Sequence, residues 1–477
     1  MDAATMDNRI SEMELQGIGQ QVDRIYTAQQ KFFASGATRS ISFRLKQLNI
    51  LLKAIEKNEA LLNDALYKDL RKSAYETYGT EIGPTLAEIR HACKHLRDWM
   101  RKEHVSTPMI FFPSSSYIIR DPLGTVLTIG PWNYPFLLII TSVVNAIAGG
   151  NTVILKPSDE AVHTADVIEK IISENFAEEF LAVIQVPGPM VTKLIIDKYH
   201  FDHIFFTGST RVGKIIMESA ASKLSPVTLE LGGKSPCVVE ADADLGFAAK
   251  KIAWSKTINA GQTCVAPDYL FVHAAVKEKF LEKIKSELTK MFGENAQNSP
   301  DYPRIINKKR FDVLSAYLEN GRIVYGGQAD ENDLFIAPTI IEDVDTDDPV
   351  MQEEIFGPVL PVFTFTDRSE VLDMIAKHPY PLALYIYTRS RANEKFYIDQ
   401  VRFGGGCVNN GVIHLGNPDL PFGGTGYSGI GQYHGYAGFL TFTRPKSIIK
   451  SPTWFDVPLW YPPYAGKLKW LRRMFRI

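Results

Sequence analysis

From Thr125 onward the chain repeats one pattern. A short run of apolar, often β-branched residues stops at a Gly, Pro or Ser turn, and a helix-like segment follows. TVLTIGP precedes the segment from Phe136, NTVILKP precedes 163–175, FLAVIQVPG precedes 190–198, HIFFTGS precedes 211–224, and PVTLELGG closes the series. Strands that are apolar along their whole length and alternate with helices require a parallel sheet covered on both faces. Ligands of such sheets gather at the carboxyl ends of the strands. The polar residues found there are Asn133, Lys156, Ser209 and Glu230.

A second α/β pattern, from about 236 to 417, contains the runs YLFVHA, GRIVYGG, PVFTFT, LALYIYT and GGCVNN and predicts a second domain. The first hundred residues read as helices, with Leu45, Leu48, Leu51, Leu52 and Ile55 on one stripe and a further helix over 85–103. Between them STPMIFFPSSSYIIRDP, 106–122, predicts a hairpin about its Pro-Ser-Ser-Ser turn, and LTFTRPKSIIK, from Leu440, is one more strand.

The 477 residues, 45% of them apolar, provide for about two or three domains. A net charge of −2 offers nothing to attract nucleic acid. Cys93, Cys237, Cys264 and Cys407 are scattered, with no CxxC pair and no cluster with histidine. Neither a disulfide framework nor a metal centre is expected, and a reducing, cytoplasmic setting fits. The polar start MDAATMDNRISEMELQ has no apolar signal core. The most apolar stretch, 136–148, is shorter than the ~20 residues that cross a bilayer and predicts a buried helix.

Several motifs carry chemistry, each with a plain structural alternative. GQTCVAPDY sets Cys264 among small polar residues just before a strand, where a thiol can be reached and ionised, although a lone cysteine is more often a packing residue. Cys237 and Cys407 open apolar runs and read as packing. Glu230 ends an apolar strand at Gly232-Gly233; burial raises a carboxyl pKa and makes it a base near neutrality, while a structural ion pair is the alternative. Asn133 sits between the prolines of PWNYP, a rigid place for a neutral oxyanion donor or simply for a turn asparagine. FTGSTRVG joins a strand to a helix: Gly208 allows close approach, and Ser209 and Thr210 suit either a phosphate or plain helix capping. Lys156 and Asp159 of KPSDE suit ribose hydroxyls or a solvated turn, and Glu354 and Phe356 of EEIFGP pair a carboxylate with an aromatic wall.

Taken in order, PWNYP, KPS, FTGST, LELGGKSP, GQTC, EEIFGP and PFGGTGYSG resemble the aldehyde dehydrogenase superfamily over roughly residues 25–450. FFTGSTRVGK, LELGGKSPC, GQTCVAPDY and GQYHG resemble its class 3 branch, which includes fatty-aldehyde and broad-specificity members. The resemblance implies an α/β fold with a Rossmann-like coenzyme domain (20–105 and 123–230), a catalytic domain (231–428), a β arm for oligomerisation (106–122 and 429–450) and a tail (451–477). It implies an NAD(P)-dependent oxidoreductase that turns aldehydes, medium- or long-chain aliphatic or aromatic, into carboxylic acids.

Carried over by motif, Cys264 is the nucleophile, Asn133 the oxyanion donor and Glu230 the base that activates water on a Cys264 thioester. Lys156 and Asp159 meet the adenosine ribose and Ser209 the pyrophosphate. Glu354 meets the nicotinamide ribose with Phe356 beside the ring, while Trp132, Thr207, Gly208, Gly213 and Leu231 complete the coenzyme contacts. Tyr134, His414 and the aromatic residues of 454–461 are candidates for an apolar substrate tunnel, although His414 suits a structural role better. Asp159 stands where the family usually has glutamate, which leaves NAD against NADP open, with NAD slightly preferred. A homodimer through the arm is implied. The tail KLKWLRRMFRI divides apolar from basic residues at helical spacing, the pattern of a helix lying on a membrane surface, and equally of one packed on the protein. A non-catalytic structural protein on the same fold and a CoA-acylating relative are the alternatives; intact Cys264, Glu230 and Asn133 oppose the first, and Glu230 opposes the second.

Overall fold

Residues 12–475 are described in a computed structural model. The five strands expected after Thr125 form one parallel sheet in the order Leu181–Val183, Thr152–Lys156, Thr125–Ile129, His203–Thr207 and Val227–Glu230, and Gly429–Ile430 adds antiparallel to the last. Counted along the chain, the five run 3-2-1-4-5. The order therefore reverses between Thr125–Ile129 and His203–Thr207, and a crevice opens there at the carboxyl ends. The helix Leu137–Gly149 is apolar on every side, and each of its residues is buried. A helix of that composition must lie at the centre, and it packs on Gly83–Trp99 and Gly435–Thr441.

The second sheet has seven strands, in the order Arg322–Tyr325, Thr339–Glu342, Val359–Phe365, Tyr269–His273, Pro236–Val239, Ala383–Tyr387 and Gly405–Val408, all parallel except the first pair. The strand Thr339–Glu342 has no counterpart in the sequence reading: APTIIEDV is too short to separate from a loop by periodicity. The segment 190–198 is a 3-10 turn at Gly188–Met190 followed by a π-helical turn at Thr192–Ile196, since the prolines at 187 and 189 remove backbone donors.

The hairpin differs from the expectation. Its first strand is Glu103–Val105, upstream of 106, and its second is Ser115–Pro122; the apolar MIF segment between them is a 3-10 turn, Met109–Phe111, flanked by Pro108 and Pro113. Thr443–Lys450 pairs with Ser115–Pro122 over eight residues, which makes a three-stranded antiparallel sheet. Gly429–Ile430, expected in the arm, belongs to the six-stranded sheet instead, and the helix Gly435–Thr441 intervenes before the arm strand. The first helix, Glu12–Ala34, begins ahead of the boundary expected at 20.

Arg44, 2% exposed, ties the N-terminal helices to this centre. Its guanidinium donates to the carbonyls of Thr38 (3.0 Å), Arg39 (3.3 Å) and Ala148 (2.9 Å). Burial lowers its pKa to about 10, so it stays charged at neutral pH. Ala148 lies in the last turn of the central helix, where carbonyls lack helical partners. Arg44→Leu should therefore lower unfolding free energy by about 2–4 kcal/mol, because two buried carbonyls and a part-buried one lose their donor; urea denaturation checks this, and an unchanged midpoint contradicts it.

Candidate active site

Cys264 follows the helix Leu245–Thr257 and a tight connection in which Asn259 and Ala260 take positive φ, 52° and 51°. Left-handed backbone at a non-glycine residue costs about 1–3 kcal/mol unless its surroundings enforce it. Here amides enforce it. Asn259 Nδ2 donates to the carbonyls of Asn133 (2.7 Å) and Gln262 (3.1 Å), and Glu76 accepts from the Asn259 N–H at 2.6 Å. Gln262 Nε2 donates to the carbonyls of Asn259 (3.0 Å) and Arg304 (2.9 Å), while its Oε1 accepts from the Ile306 N–H (3.0 Å). Cys264 itself stays partly exposed at the end of this fixed loop.

Asn133 is 3% exposed. One hydrogen of Nδ2 goes to the Gln262 carbonyl at 3.0 Å, and an amide nitrogen carries a second. Its own carbonyl accepts from Asn259 and from Lys72 Nζ (3.1 Å). Lys72 pairs with Glu81 at 2.6 Å, both side chains fully buried. The second oxygen of Glu81 accepts from the N–H groups of Phe136 (3.2 Å) and Leu137 (2.9 Å), capping the central helix. A buried pair offsets its desolvation only when such further bonds satisfy it. Lys72 also lies 4.1 Å from the Tyr134 ring centroid, and the Tyr134 hydroxyl is 2.6 Å from Thr263 Oγ1, next to Cys264 in the chain.

Glu230 ends its strand opposite Thr207 and is 2% exposed. Neither of its oxygens has a partner among the described residues, and burial raises its pKa well above the usual carboxyl range. The Cys264 thiol is also pushed up, by burial first and then by the charges of Glu354 and Glu230, against the N–H groups of Cys264 and Val265 that bond its sulfur. Glu354 is raised to about 8 by burial and by Asp268, with the Gly233 N–H opposing. Its carboxylate fills the place of the side chain that Gly232 lacks: a Cβ there would stand 1.8 Å from Oε2.

Of the expected coenzyme residues, Trp132, Lys156, Asp159, Thr207, Gly208, Ser209 and Leu231 lie at or just after the carboxyl ends of the first sheet's strands. Lys156 Nζ and Asp159 are 2.6 Å apart, and the other Asp159 oxygen accepts from the Gly188 N–H at 3.0 Å. Burial opposes the Asp159 charge, but Lys156 and that N–H carry its pKa below the usual value. Thr207 Oγ1 is buried without a partner among the described residues. Gly208 follows, and Ser209 caps the twelve-residue helix Thr210–Ala221 through the Val212 N–H (3.4 Å). Gly213 lets this helix press on the next strand, since a Cβ there would stand 2.5 Å from the Leu231 side chain. Trp132 meets the Phe356 ring edge-on, centroids 5.1 Å apart, so one wall is shared by the two sheets' loops. These features fit a dinucleotide: a helix N-terminus for phosphate, an unpartnered hydroxyl beside it and a carboxylate-and-aromatic pair near the thiol.

The family model described as the aldehyde dehydrogenase family matches residues 8–448. The chain belongs to this family. It is 43% identical to the 4,4'-diaponeurosporen-aldehyde dehydrogenase of Staphylococcus aureus, over 95% of this chain and 99% of that one. It is 42% identical to the human aldehyde dehydrogenase family 3 member B1, over 91% and 93%. Among solved structures, the substrate-bound Staphylococcus aureus AldH superposes with a TM-score of 0.93 at 43% identity, covering 95% and 99%, and an NAD+ complex of a Bacillus cereus aldehyde dehydrogenase with 0.80 at 27%, covering 91% and 89%. The chain is a class 3 aldehyde dehydrogenase that oxidises aldehydes with NAD(P).

In this dehydrogenase burial raises the pKa of the Tyr134, Tyr385 and Tyr433 hydroxyls, and the charge of Cys264 raises each further. His414 has its Nδ1 3.6 Å from Cys407 Sγ and its ring against Tyr385 and Phe422; burial lowers its pKa to about 4. The aromatics of 454–461 lie beside the arm, with Trp460 stacked on Phe111 and Trp454 exposed. Sequence reasoning passed over Lys72, Glu76, Glu81 and Asn259. The available signal was that Glu81 and Glu88 share a buried face with Thr85, Ala92 and Leu96 at spacings of three and four. Because nearby carboxylates raise the Cys264 pKa, thiolate accumulates as pH rises. Glu354→Gln removes the larger of these charges and should move the pH profile of iodoacetamide alkylation at Cys264 toward lower pH; an unmoved profile contradicts the assignment.

Proposed function

We propose that Cys264, Asn133 and Glu230 carry the oxidation. The Cys264 thiolate attacks the aldehyde carbon, forming a C–S bond and placing negative charge on oxygen. Asn133 Nδ2 and the Cys264 N–H receive that charge. The carbon gives up its hydrogen with the electron pair, and the C=O returns as a thioester on Cys264. The nicotinamide of a bound NAD(P) supplies the acceptor for that pair. Glu230, once deprotonated, takes a proton from water; the hydroxide adds to the thioester, the C–S bond breaks, and the acid leaves with the thiolate restored. The observation that carries this reading is that groups from two strand ends, Asn133 and Glu230, meet the loop that carries Cys264. One amide hydrogen bond joins Asn133 to the nucleophile loop, and an unpartnered buried carboxyl stands close enough to raise the thiol pKa.

Lys156, Asp159 and Ser209 would hold the adenosine ribose and pyrophosphate, and Glu354 with Phe356 the nicotinamide end. Trp132, Thr207, Gly208, Gly213 and Leu231 would line the rest. Asp159 already spends both oxygens within the protein, on Lys156 and on the Gly188 N–H, which weakens a claim on a ribose 2′-hydroxyl and supports use of NAD and NADP alike, NAD slightly preferred. The rings of Tyr134, Tyr385 and Tyr433 favour medium- and long-chain aliphatic or aromatic aldehydes. An assay of C2 to C12 aldehydes with both coenzymes should give kcat/KM rising with chain length and a coenzyme ratio within about a hundredfold, with Cys264→Ser inactive. A flat series, or a ratio beyond that range, contradicts the respective claim.

The arm supports a homodimer in a reducing, cytoplasmic setting: Thr443–Lys450 is paired on one side only among the described residues and largely exposed, an edge that a second copy would cover. No described helix is long and apolar enough to cross a membrane. The tail helix, Leu468–Met474, exposes Leu468 and Trp470 beside Lys469, Arg472 and Arg473, which supports weak contact with an anionic membrane surface; Arg476 and Ile477 of the expected pattern lie outside the described residues. Co-sedimentation with phosphatidylserine-containing vesicles should be greater for the full chain than for a chain cut at Tyr464. Equal pelleting ends the idea.

A further inference from the structure

Lys234 and Asp268 form a second buried ion pair, each side chain 4% exposed, that the chemistry above leaves unused. Lys234 stands four residues after Glu230, and Asp268 four residues after Cys264. The Lys234 ammonium donates to Asp268, to the Val350 carbonyl (3.1 Å) and to the Glu353 carbonyl (2.9 Å), which uses all three of its hydrogens. Asp268 Oδ1 accepts from the Ile355 N–H at 2.9 Å. The Glu353 carbonyl and the Ile355 N–H belong to the two peptide planes on either side of Glu354. Holding both planes fixes the φ and ψ of Glu354, and with them the direction of its carboxylate into the space at Gly232. Phe356 follows with φ 50°, a conformation a bulky residue adopts only under constraint.

We propose that the Lys234–Asp268 pair is a positioning clamp. It holds Glu354 and Phe356 at the reacting end of the coenzyme and governs hydride transfer, with no side-chain bond to Cys264 or Glu230. The proposal rests on the reading that these two residues meet the nicotinamide end. Its physical basis is that a pair of buried charges loses solvation, which a well-packed apolar pair would avoid. In this site the pair's remaining bonds go to Val350 and to the EEIFGP segment, and not to the nucleophile loop.

The test separates the two halves of the reaction. Coenzyme-free hydrolysis of p-nitrophenyl acetate loads Cys264 directly with an acyl group and needs only the thiolate and Glu230. The first turnover of NADH formation from an aldehyde needs hydride transfer as well. The quantity read is the ratio of the second rate to the first, which the fraction of folded protein does not affect. Lys234→Met/Asp268→Asn leaves no unpaired charge, and the ratio should fall at least about tenfold. Lys234→Arg keeps the charge but cannot aim three hydrogens from one atom, and should lower the ratio in the same direction; it serves if the double variant is insoluble. A ratio within about twofold of wild type in the soluble variants overturns the clamp, because displaced reacting groups cannot keep full rate. A wild-type chain that hydrolyses the ester yet reduces neither NAD+ nor NADP+ overturns the reading on which the clamp rests.

Discussion

The structure turns on the carbonyl oxygen of Asn133. Two donors meet it, Lys72 at 3.1 Å and Asn259 Nδ2 at 2.7 Å. Through the first, the PWNYP turn is fixed to the buried Lys72–Glu81 pair and to the N-terminus of the central helix. Through the second, it is fixed to the strained connection that delivers Cys264. A buried backbone acceptor must be satisfied, and satisfying this one brings Asn133 and Cys264, the proposed oxyanion donor and nucleophile, into register. The backbone strain at Asn259 and Ala260 then follows from the site's own wiring: the same amides that bind Asn133 hold the left-handed turn in place.

Charge around the thiol is arranged differently. Two carboxyl groups, Glu230 and Glu354, stand in surroundings too poor in donors to keep them ionised at their usual pKa. Each has its pKa raised above the usual carboxyl range, and each raises the Cys264 pKa when charged. Burial and these charges push the thiol pKa up, and the N–H groups of Cys264 and Val265 are the local counterweight. By contrast, Asp159 lies where Lys156 and a backbone donor hold it ionised. One chain therefore shifts carboxyl pKa values in opposite directions a few strands apart, by the choice of which donors are within reach.

The glycines fit this arrangement because they are places where another group occupies the side-chain volume. Glu354 fills the space at Gly232, and Leu231 that at Gly213. In both cases the loss of a Cβ lets two elements from different parts of the chain touch, and the crevice is built from those touches.

The alternation of apolar strands with helices by itself determined the parallel sheet, and the rule that ligands collect at strand ends was enough to pick out Asn133, Lys156, Ser209 and Glu230. Motif order was enough for the family. These features were legible because they are local: an apolar run or a turn residue declares itself within a few positions. What only the tertiary structure decided lies in contacts across large separations. Nothing near Lys72 in the chain indicates that its partners are Glu81 and the Asn133 carbonyl, and nothing near Lys234 indicates Glu353. The arm was misplaced by a few residues because MIF has the composition of a strand, while flanking prolines and the pairing with Thr443–Lys450 chose a turn. Gly429–Ile430 joined the other sheet because its partner, Leu229-Glu230, was available there. The sequence names groups able to do chemistry, whereas desolvation and hydrogen-bond partners, which exist only after folding, decide which of them are charged, which are held still and which face the substrate.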